Sequence, residues 1–260
     1  MKVMAIMGSP RGKGNGYMVV KEIEWHMEGM GEVEFEYIFL KDANLEMCQG
    51  CFSCVSFGED KCPLKDDRTV IEEKILATDG LILSSPMHVF NVSSLMKNFI
   101  DRFAYTQGRP KFFGQKMLLV LNSNGGIRSK NALAALRIAL GGINIVHELN
   151  VATPLWLEQE KMVRRKEKTI AEGAEKLFKA CMHKQLPDPG IKNYLEFRLF
   201  KRGFTDFKEV VPACYEFYRG KDYYYKAKIS SVAKLAAWAI VPLAMLLTKD
   251  YLPGNVKWPR

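Results

Sequence analysis

An apolar run, Val3-Met4-Ala5-Ile6-Met7, leads straight into Gly8-Ser9-Pro10-Arg11-Gly12-Lys13-Gly14-Asn15. The run has the length of a buried strand, and apolar residues near helical spacing follow over 17–30. A glycine-rich turn between a strand and a helix points backbone N–H groups at an anion, and the helix N-terminus adds positive potential there. Arg11 and Lys13 supply charge to neutralise a phosphate. The pattern is neither a Walker A loop nor a spaced G-x-G-x-x-G. The competing reading is a flexible turn carrying solvated cations.

The same alternation continues down the chain. Strands are expected over 2–7, 32–39, 80–84, 116–121 and 143–151. Helices are expected over 17–30, 67–77, 93–105, 129–140 and 159–183. Val33, Phe35, Tyr37 and Phe39 recur at period 2, the mark of a half-buried strand. Asp66 or Asp67 and Ser93 or Asn91 are suitable N-caps for the helices that follow them. Strand–helix alternation implies a parallel sheet covered on both faces, an α/β doubly wound architecture. Five strands with an anion loop after the first fit the flavodoxin-like order 2-1-3-4-5. In that order ligands sit at the carboxyl ends of the strands, near the switch point. Three loops are therefore expected to form the site: 8–16, 85–92 and 122–128.

At 260 residues the chain accommodates one domain of about 180 residues and something more. We place the sheet domain at 1–183 and a helical extension at 184–260, because Pro187-Asp188-Pro189-Gly190 breaks the alternation. The formal net charge of +9 is concentrated beyond that point: residues 184–260 hold 14 Lys/Arg against 7 Asp/Glu. The extension is also aromatic, with Tyr194, Phe197, Phe200, Phe204, Phe207, Tyr215, Phe217, Tyr218 and Tyr223-Tyr224-Tyr225. Its apolar run 235–247 contains Pro242 and falls short of the roughly 20 residues of a membrane span. Two readings of the extension stand. It wraps a partner subunit, the preferred one, or it lies as an interfacial helix on a membrane surface as a peripheral contact. Nucleic acid is not expected as a partner, since no single-strand-binding fold pattern accompanies the aromatics and lysines.

Cys48-x2-Cys51-x2-Cys54-x7-Cys62 puts four cysteines within fifteen residues of the loop 40–66. No N-terminal signal pattern is visible, so a cytoplasmic, reducing setting is expected. There, clustered cysteines serve as metal ligands or redox groups more often than as disulfides. Short C-x2-C-x2-C spacing wraps one face of a 4Fe-4S cubane, and the fourth thiolate can come from farther along, as Cys62 does. Zinc, a redox C-x2-C pair and a metal-free loop remain as alternatives. Cys181 and Cys214 fall outside the motif and are expected to be packing residues.

The segment Ser85-Pro86-Met87-His88-Val89-Phe90-Asn91-Val92-Ser93-Ser94-Leu95-Met96-Lys97-Asn98-Phe99-Ile100-Asp101-Arg102 resembles the flavin-site segment of the NADPH-dependent FMN reductase family. Gly8-Ser9-Pro10-Arg11 with Asn15 resembles that family's phosphate loop. The cysteine run, continued as Pro63-Leu64-Lys65-Asp66-Asp67, resembles the iron–sulfur flavoprotein branch. The resemblance spans roughly residues 1–180, in three motifs in the family's order.

It implies that Ser9, Arg11, Gly14, Asn15 and Gly16 hold the FMN phosphate, that Pro86, Met87, His88, Val89, Phe90 and Asn91 border the flavin ring, and that Asn122, Ser123, Asn124, Gly125 and Gly126 close its other side. Gly16 stands where the family carries Thr or Ser, and Tyr17 is the candidate replacement donor. His88 stands in place of an aromatic residue and Phe90 in place of Gly. His88 is the candidate catalytic proton donor, since imidazole titrates near neutrality, or else a polar wall residue. The resemblance further implies a transient NAD(P)H donor or ferredoxin, one-electron transfer through a 4Fe-4S cluster on Cys48, Cys51, Cys54 and Cys62, and a homodimer or homotetramer.

Overall fold

The computed structural model describes residues 1–124, 128–153 and 160–247. The strands are β1 (Lys2–Met7), β2 (Glu34–Phe39), β3 (Gly80–His88), β4 (Asn91–Val92), β5 (Lys116–Ser123) and β6 (Asn144–Ala152). The helices are α1 (Asn15–Glu28), α2 (Ser53–Ser56), α3 (Arg68–Leu76), α4 (Ser94–Arg102), α5 (Tyr105–Gly108), α6 (Lys130–Arg137), α7 (Glu160–Met182), α8 (Ile191–Asp206), α9 (Pro212–Tyr218) and α10 (Ser231–Leu247), with one 3-10 turn at Glu59–Lys61. They form two compact units: Met1–Gly50 with Leu64–Lys184, and Cys51–Pro63 with the residues from Gln185 onward.

The first unit is built on a parallel sheet of order β2-β1-β3-β5-β6, and β4 pairs antiparallel with β3. With the two-residue β4 set aside, this is the expected flavodoxin-like order. The three central strands are buried on both faces and so read as unbroken apolar runs: Val3–Met7, Leu81–Leu83 and Met117–Leu121 are all essentially inaccessible. On β1, Val3, Ala5 and Met7 point to the face covered by Val19, Val20, Ile23 and Met27 of α1 and Ile170, Ala174 and Leu177 of α7. Met4 and Ile6 alternate with them and serve the opposite face. Edge strand β2 keeps its alternation, with Glu34 and Glu36 exposed and Phe35, Tyr37 and Phe39 half-buried.

Two expectations about elements change. Strand β3 does not stop at Ser84 but runs to His88, paired with β5 as far as Pro86 opposite Asn122. Its neighbour β1 ends at Met7, opposite Ser84, so Pro86 meets no ladder on that side that requires an N–H. The long loop 40–66 also acquires local structure, α2 and the 3-10 turn. Gly50 (φ 66°) and Gly58 (φ 123°) take the left-handed conformations that make its turns.

The second unit has its own core. Tyr194 and Phe197 of α8, Tyr218 of α9, Tyr223, and Ala233, Ala237 and Val241 of α10 are buried together. Phe197 is central, with its ring 4.9–5.5 Å from those of Tyr218, Tyr223 and Tyr224. The linker is tied down within this unit: Tyr225 donates to Pro187 O at 2.9 Å and the Lys228 amide to Asp188 Oδ1 at 2.7 Å. Helix α10 continues through Pro242. Among the described residues no helix is long and apolar enough to cross a membrane.

Candidate flavin and cysteine site

The loop after β1 is a compact nest. The Gly12 amide donates to Ser9 O (3.2 Å), the Gly14 amide to Gly12 O (2.9 Å) and the Arg11 amide to Ser9 Oγ (3.2 Å). Gly12 sits at φ 66°, a conformation a side chain would strain. Gly14 precedes α1, and no side chain caps the helix. The N-terminus of a 14-residue helix is thus left without an internal acceptor, the arrangement that binds phosphate. Ser9 is buried, whereas Arg11, Lys13 and Asn15 are exposed around the loop. Tyr17 packs its ring against Tyr37 (5.5 Å) and Phe39 (5.8 Å), with Lys13 above it.

Buried serine hydroxyls hold this loop to the end of β3. The Gly8 amide donates to Ser84 O at 2.7 Å. Ser93 Oγ donates to Gly8 O (2.5 Å) and accepts from the Met96 amide (3.1 Å), while the Ser93 amide donates to Ser85 Oγ (3.1 Å). Ser93 is therefore the N-cap of α4 and also the link between two site loops. The Ser84-Ser85 pair at the end of an apolar strand is the sequence signal for this tie.

Asn122, at the carboxyl end of β5, is 6 % exposed, yet neither its Oδ1 nor its Nδ2 has a hydrogen-bond partner. Leaving a buried amide unsatisfied costs about 1–3 kcal/mol, so such a group at the carboxyl end of a central strand is placed for a polar ligand. A Cβ on Gly16 would lie 2.9 Å from Asn122 Oδ1 and 3.2 Å from Ser84 Oγ. Glycine at 16, where the family carries a hydroxyl residue, thus makes room for this amide. Ser123 is engaged elsewhere: its Oγ donates to Asn150 Oδ1 (3.0 Å), and Asn150 Nδ2 donates to Ser129 Oγ (2.9 Å). Asn124 is exposed, and Gly125 and Gly126 lie outside the described residues.

Residues 87–92 form a hairpin in which His88 opposes Asn91 and Met87 opposes Val92. Its two turn residues, Val89 and Phe90, both have positive φ, 48° and 62°. Such a turn favours Asn-Gly, and a β-branched residue there is strained. The conformation suits the Gly that the family resemblance implies at position 90 better than the Phe present here. Pro86 and Met87 are half-buried, while His88, Val89, Phe90 and Asn91 are exposed. Arg128 lies 5.1 Å from the Phe90 ring centroid, and both line a cavity of about 590 Å³ with Ser129, Lys130 and Asn131.

None of the six cysteines forms a disulfide. Cys48 is half-buried, and its backbone is fixed by α4. Asn98 Oδ1 accepts from the Cys48 amide at 2.9 Å, and Asn98 Nδ2 donates to Leu45 O and Glu46 O at 3.2 and 3.1 Å. Asp66 closes the loop base. It accepts from the Glu46 amide (2.8 Å), the Arg68 amide (3.2 Å) and Arg102 Nη2 (2.6 Å), with both charged side chains 1 % exposed. Asp66 thus sits just ahead of α3, bonding its first amide, while Asp67 Oδ2 accepts from the Asn44 amide. Cys51 is exposed, and Cys54 and Cys62 are half-buried. Among the described residues no three His, Cys, Asp or Glu side chains already converge as ligands of a single ion. Cys181 is buried in the sheet core, and burial pushes its thiol up to about 12. Cys214 is also buried and donates to Val55 O at 3.6 Å.

The model of the NADPH-dependent FMN reductase family matches residues 1–155. The chain belongs to that family. An iron–sulfur flavoprotein of Methanocaldococcus jannaschii is 41 % identical over 102 residues, 39 % of this chain and 51 % of that protein. One from Archaeoglobus fulgidus is 33 % identical over 115 residues, 44 % of this chain and 51 % of that protein. The chain thus spans about half the length of these curated relatives. The solved structure of RosB with a bound 8-demethyl-8-formylriboflavin-5'-phosphate intermediate covers 100 % of this chain and 90 % of its own, with a TM-score of 0.52 at 11 % identity; it shares the fold.

In this FMN reductase family member two observations fit a flavin mononucleotide: the uncapped helix after a glycine nest, and the unsatisfied amide of Asn122 beside Gly16. The loops carrying Ser9–Gly16, Pro86–Asn91 and Asn122 all follow or end strands at the same edge of the sheet, as the topology requires. For the cysteine loop the fit rests on donor chemistry, since four thiols on one short loop are the ligands iron–sulfur centres use.

Proposed function

We propose that this protein is an FMN-dependent oxidoreductase that takes electrons from NAD(P)H or ferredoxin and passes them through a 4Fe-4S cluster. The observation that carries the flavin part is the buried, unpartnered Asn122 amide at the carboxyl end of β5. Bound FMN supplies hydride acceptance, and a bound cluster supplies one-electron transfer. The chain's own groups hold and orient. Ser9, Arg11, Asn15 and the Gly16 amide take the phosphate, Gly14 turns the chain into α1 beside it, and Arg11 neutralises part of its charge. Pro86 to Asn91 form one wall for the ring, and Asn122 offers its polar edge an amide donor and acceptor. His88, solvent-exposed on the hairpin, delivers a proton beside the ring. Cys48, Cys51, Cys54 and Cys62 are the thiolate ligands, and Asn98 and Asp66 fix the loop segment that presents Cys48. The assembly is a homodimer or homotetramer.

Anaerobic purification followed by assay of iron, acid-labile sulfide and FMN tests the reading. About four iron, four sulfide and one FMN per chain are expected. FMN without iron would leave a simple hydride-transfer reductase and a structural cysteine loop. Cys48→Ser is expected to lose iron while keeping FMN. Steady-state oxidation of NAD(P)H with an added acceptor separates an enzyme from an electron carrier, which turns over negligibly alone.

A further inference from the structure

Helix α10 packs in the reverse of the usual sense. A surface helix ordinarily buries its large apolar residues and shows a polar face. Here the small side, Ala233 and Ala237 with Val241, is buried in the unit's aromatic core. The large residues Val232, Leu235, Trp238, Leu243, Leu246 and Leu247 face outward, each 59–75 % exposed. At 100° per residue they sweep roughly half of the helix circumference, and no charged residue interrupts them. Cations stand at the margin. Lys234 is exposed on the same helix, and Arg198, Lys201 and Arg202 of α8 share a cleft with Trp238 and Pro242.

We infer that α10 docks this protein on the surface of a bilayer containing anionic phospholipids, with the helix lying in the plane of the interface. Three features select that occupant. An apolar arc this wide is matched by a flat hydrocarbon boundary, whereas a single partner helix covers only a stripe of it. Two-fold pairing of α10 with a second copy would bring Lys234, Arg198, Lys201 and Arg202 towards their own duplicates. An anionic headgroup layer complements this cationic margin instead, in which Arg202 also pairs with Asp206 at 3.2 Å. Trp238, with apolar residues on one side and cations on the other, has the surroundings a tryptophan occupies at a membrane–water boundary. Among the described residues helix α10 is not long and apolar enough to cross, and the in-plane mode is the one its wide apolar arc fits.

Co-sedimentation of the full-length protein with vesicles tests this. With phosphatidylcholine vesicles containing a minority of phosphatidylglycerol, the bound fraction is expected to exceed that on pure phosphatidylcholine by roughly tenfold or more at low salt, and to fall as salt is raised. Leu243→Glu with Leu246→Glu alters only exposed positions. That variant should lose binding about tenfold or more, on the scale of inserting two charges into an apolar contact, while its FMN content stays unchanged. Arg202→Glu with Lys234→Glu should abolish the preference for anionic vesicles. The Trp238 emission, taken as the difference from Trp238→Phe, should shift to the blue on binding. Sedimentation with no vesicle type, or equal sedimentation of the Leu243/Leu246 variant, would overturn the inference. So would light scattering showing that the Leu243/Leu246 variant halves the particle mass, since the arc would then be a contact between copies of this chain.

Discussion

The two units solve the same problem, hiding apolar surface, in opposite ways. The central strands of the sheet unit are aliphatic: their Val, Ile, Leu and Met are sealed between helices, the rings of Phe99, Phe103, Tyr105 and Phe112 form one compact cluster, and ion pairs such as Asp66–Arg102 and Arg68–Glu72 lie buried. The C-terminal unit is aromatic: tyrosine and phenylalanine rings stack on one another, the Tyr218 and Tyr224 hydroxyls meet at 3.2 Å, and large aliphatic residues remain outside. A parallel sheet offers two broad faces, and a few helices around a ring cluster offer far less interior. A small helical unit therefore depends on a few large residues, whereas the sheet spreads its stability over many.

Two substitutions put that contrast under the largest load. Asp66→Ala leaves Arg102 as an uncompensated buried cation whose Nε and Nη1 already lack partners, and should destabilise the sheet unit by about 3–5 kcal/mol. Phe197→Ala removes the centre of the ring cluster and should destabilise the C-terminal unit by about 3–5 kcal/mol. Urea unfolding followed by FMN release and by near-ultraviolet tyrosine dichroism should show each lesion moving mainly its own probe. If Phe197→Ala shifts both signals equally, the units unfold as one and the contrast in their cores carries no consequence for stability.

Ser93→Ala sharpens the contrast on a smaller scale, because the sheet unit uses one hydroxyl for structure and site together. Loss of the cap to Met96 should destabilise by about 1 kcal/mol, within the usual 0.5–2 kcal/mol range. The freed Gly8 carbonyl should loosen the phosphate nest, so FMN affinity is expected to fall several-fold by fluorescence titration. A stability loss with unchanged FMN affinity would mean that Ser93 serves α4 alone.

Local pattern carried the sheet unit and failed at its long-range ties. The central strands are continuous apolar runs because both faces are covered, and β2 alternates because one face is not. The caps and glycine turns announce themselves within a few residues. The extension of β3 to His88 was hidden because Ser85 and Pro86 read as a strand stop, and only the neighbouring β5 shows why pairing continues. Asn98, Asp66 and Arg102 hold loop segments 20 to 53 positions away, a separation no window detects. The apolar stretch of α10 was visible, but its side was not. A run without period presents no preferred face, and packing of Ala233 and Ala237 on the ring cluster decides which side stays outside.

The smallest effect comes from the edge of the sheet. His147 on β6 faces Lys176 of α7, with Nζ 3.3 Å from Nδ1 and 3.5 Å from Nε2. Partial burial, then the Lys176 charge, lowers its pKa from the ordinary 6.5, and Glu172 and Glu148 oppose this in part. The folded state therefore binds fewer protons than the unfolded chain between the depressed value and 6.5. In that window stability rises with pH and is lost as the solution is acidified. His147→Gln removes the titration. Relative to the parent its stability should improve as pH falls from about 7.5 to about 5.5, an interval bracketing the unperturbed imidazole value. The two proteins should lie a constant distance apart above that interval. A difference that does not change with pH would mean that neither burial nor Lys176 penalises the imidazolium, and that this edge adds nothing to the pH response of the sheet unit.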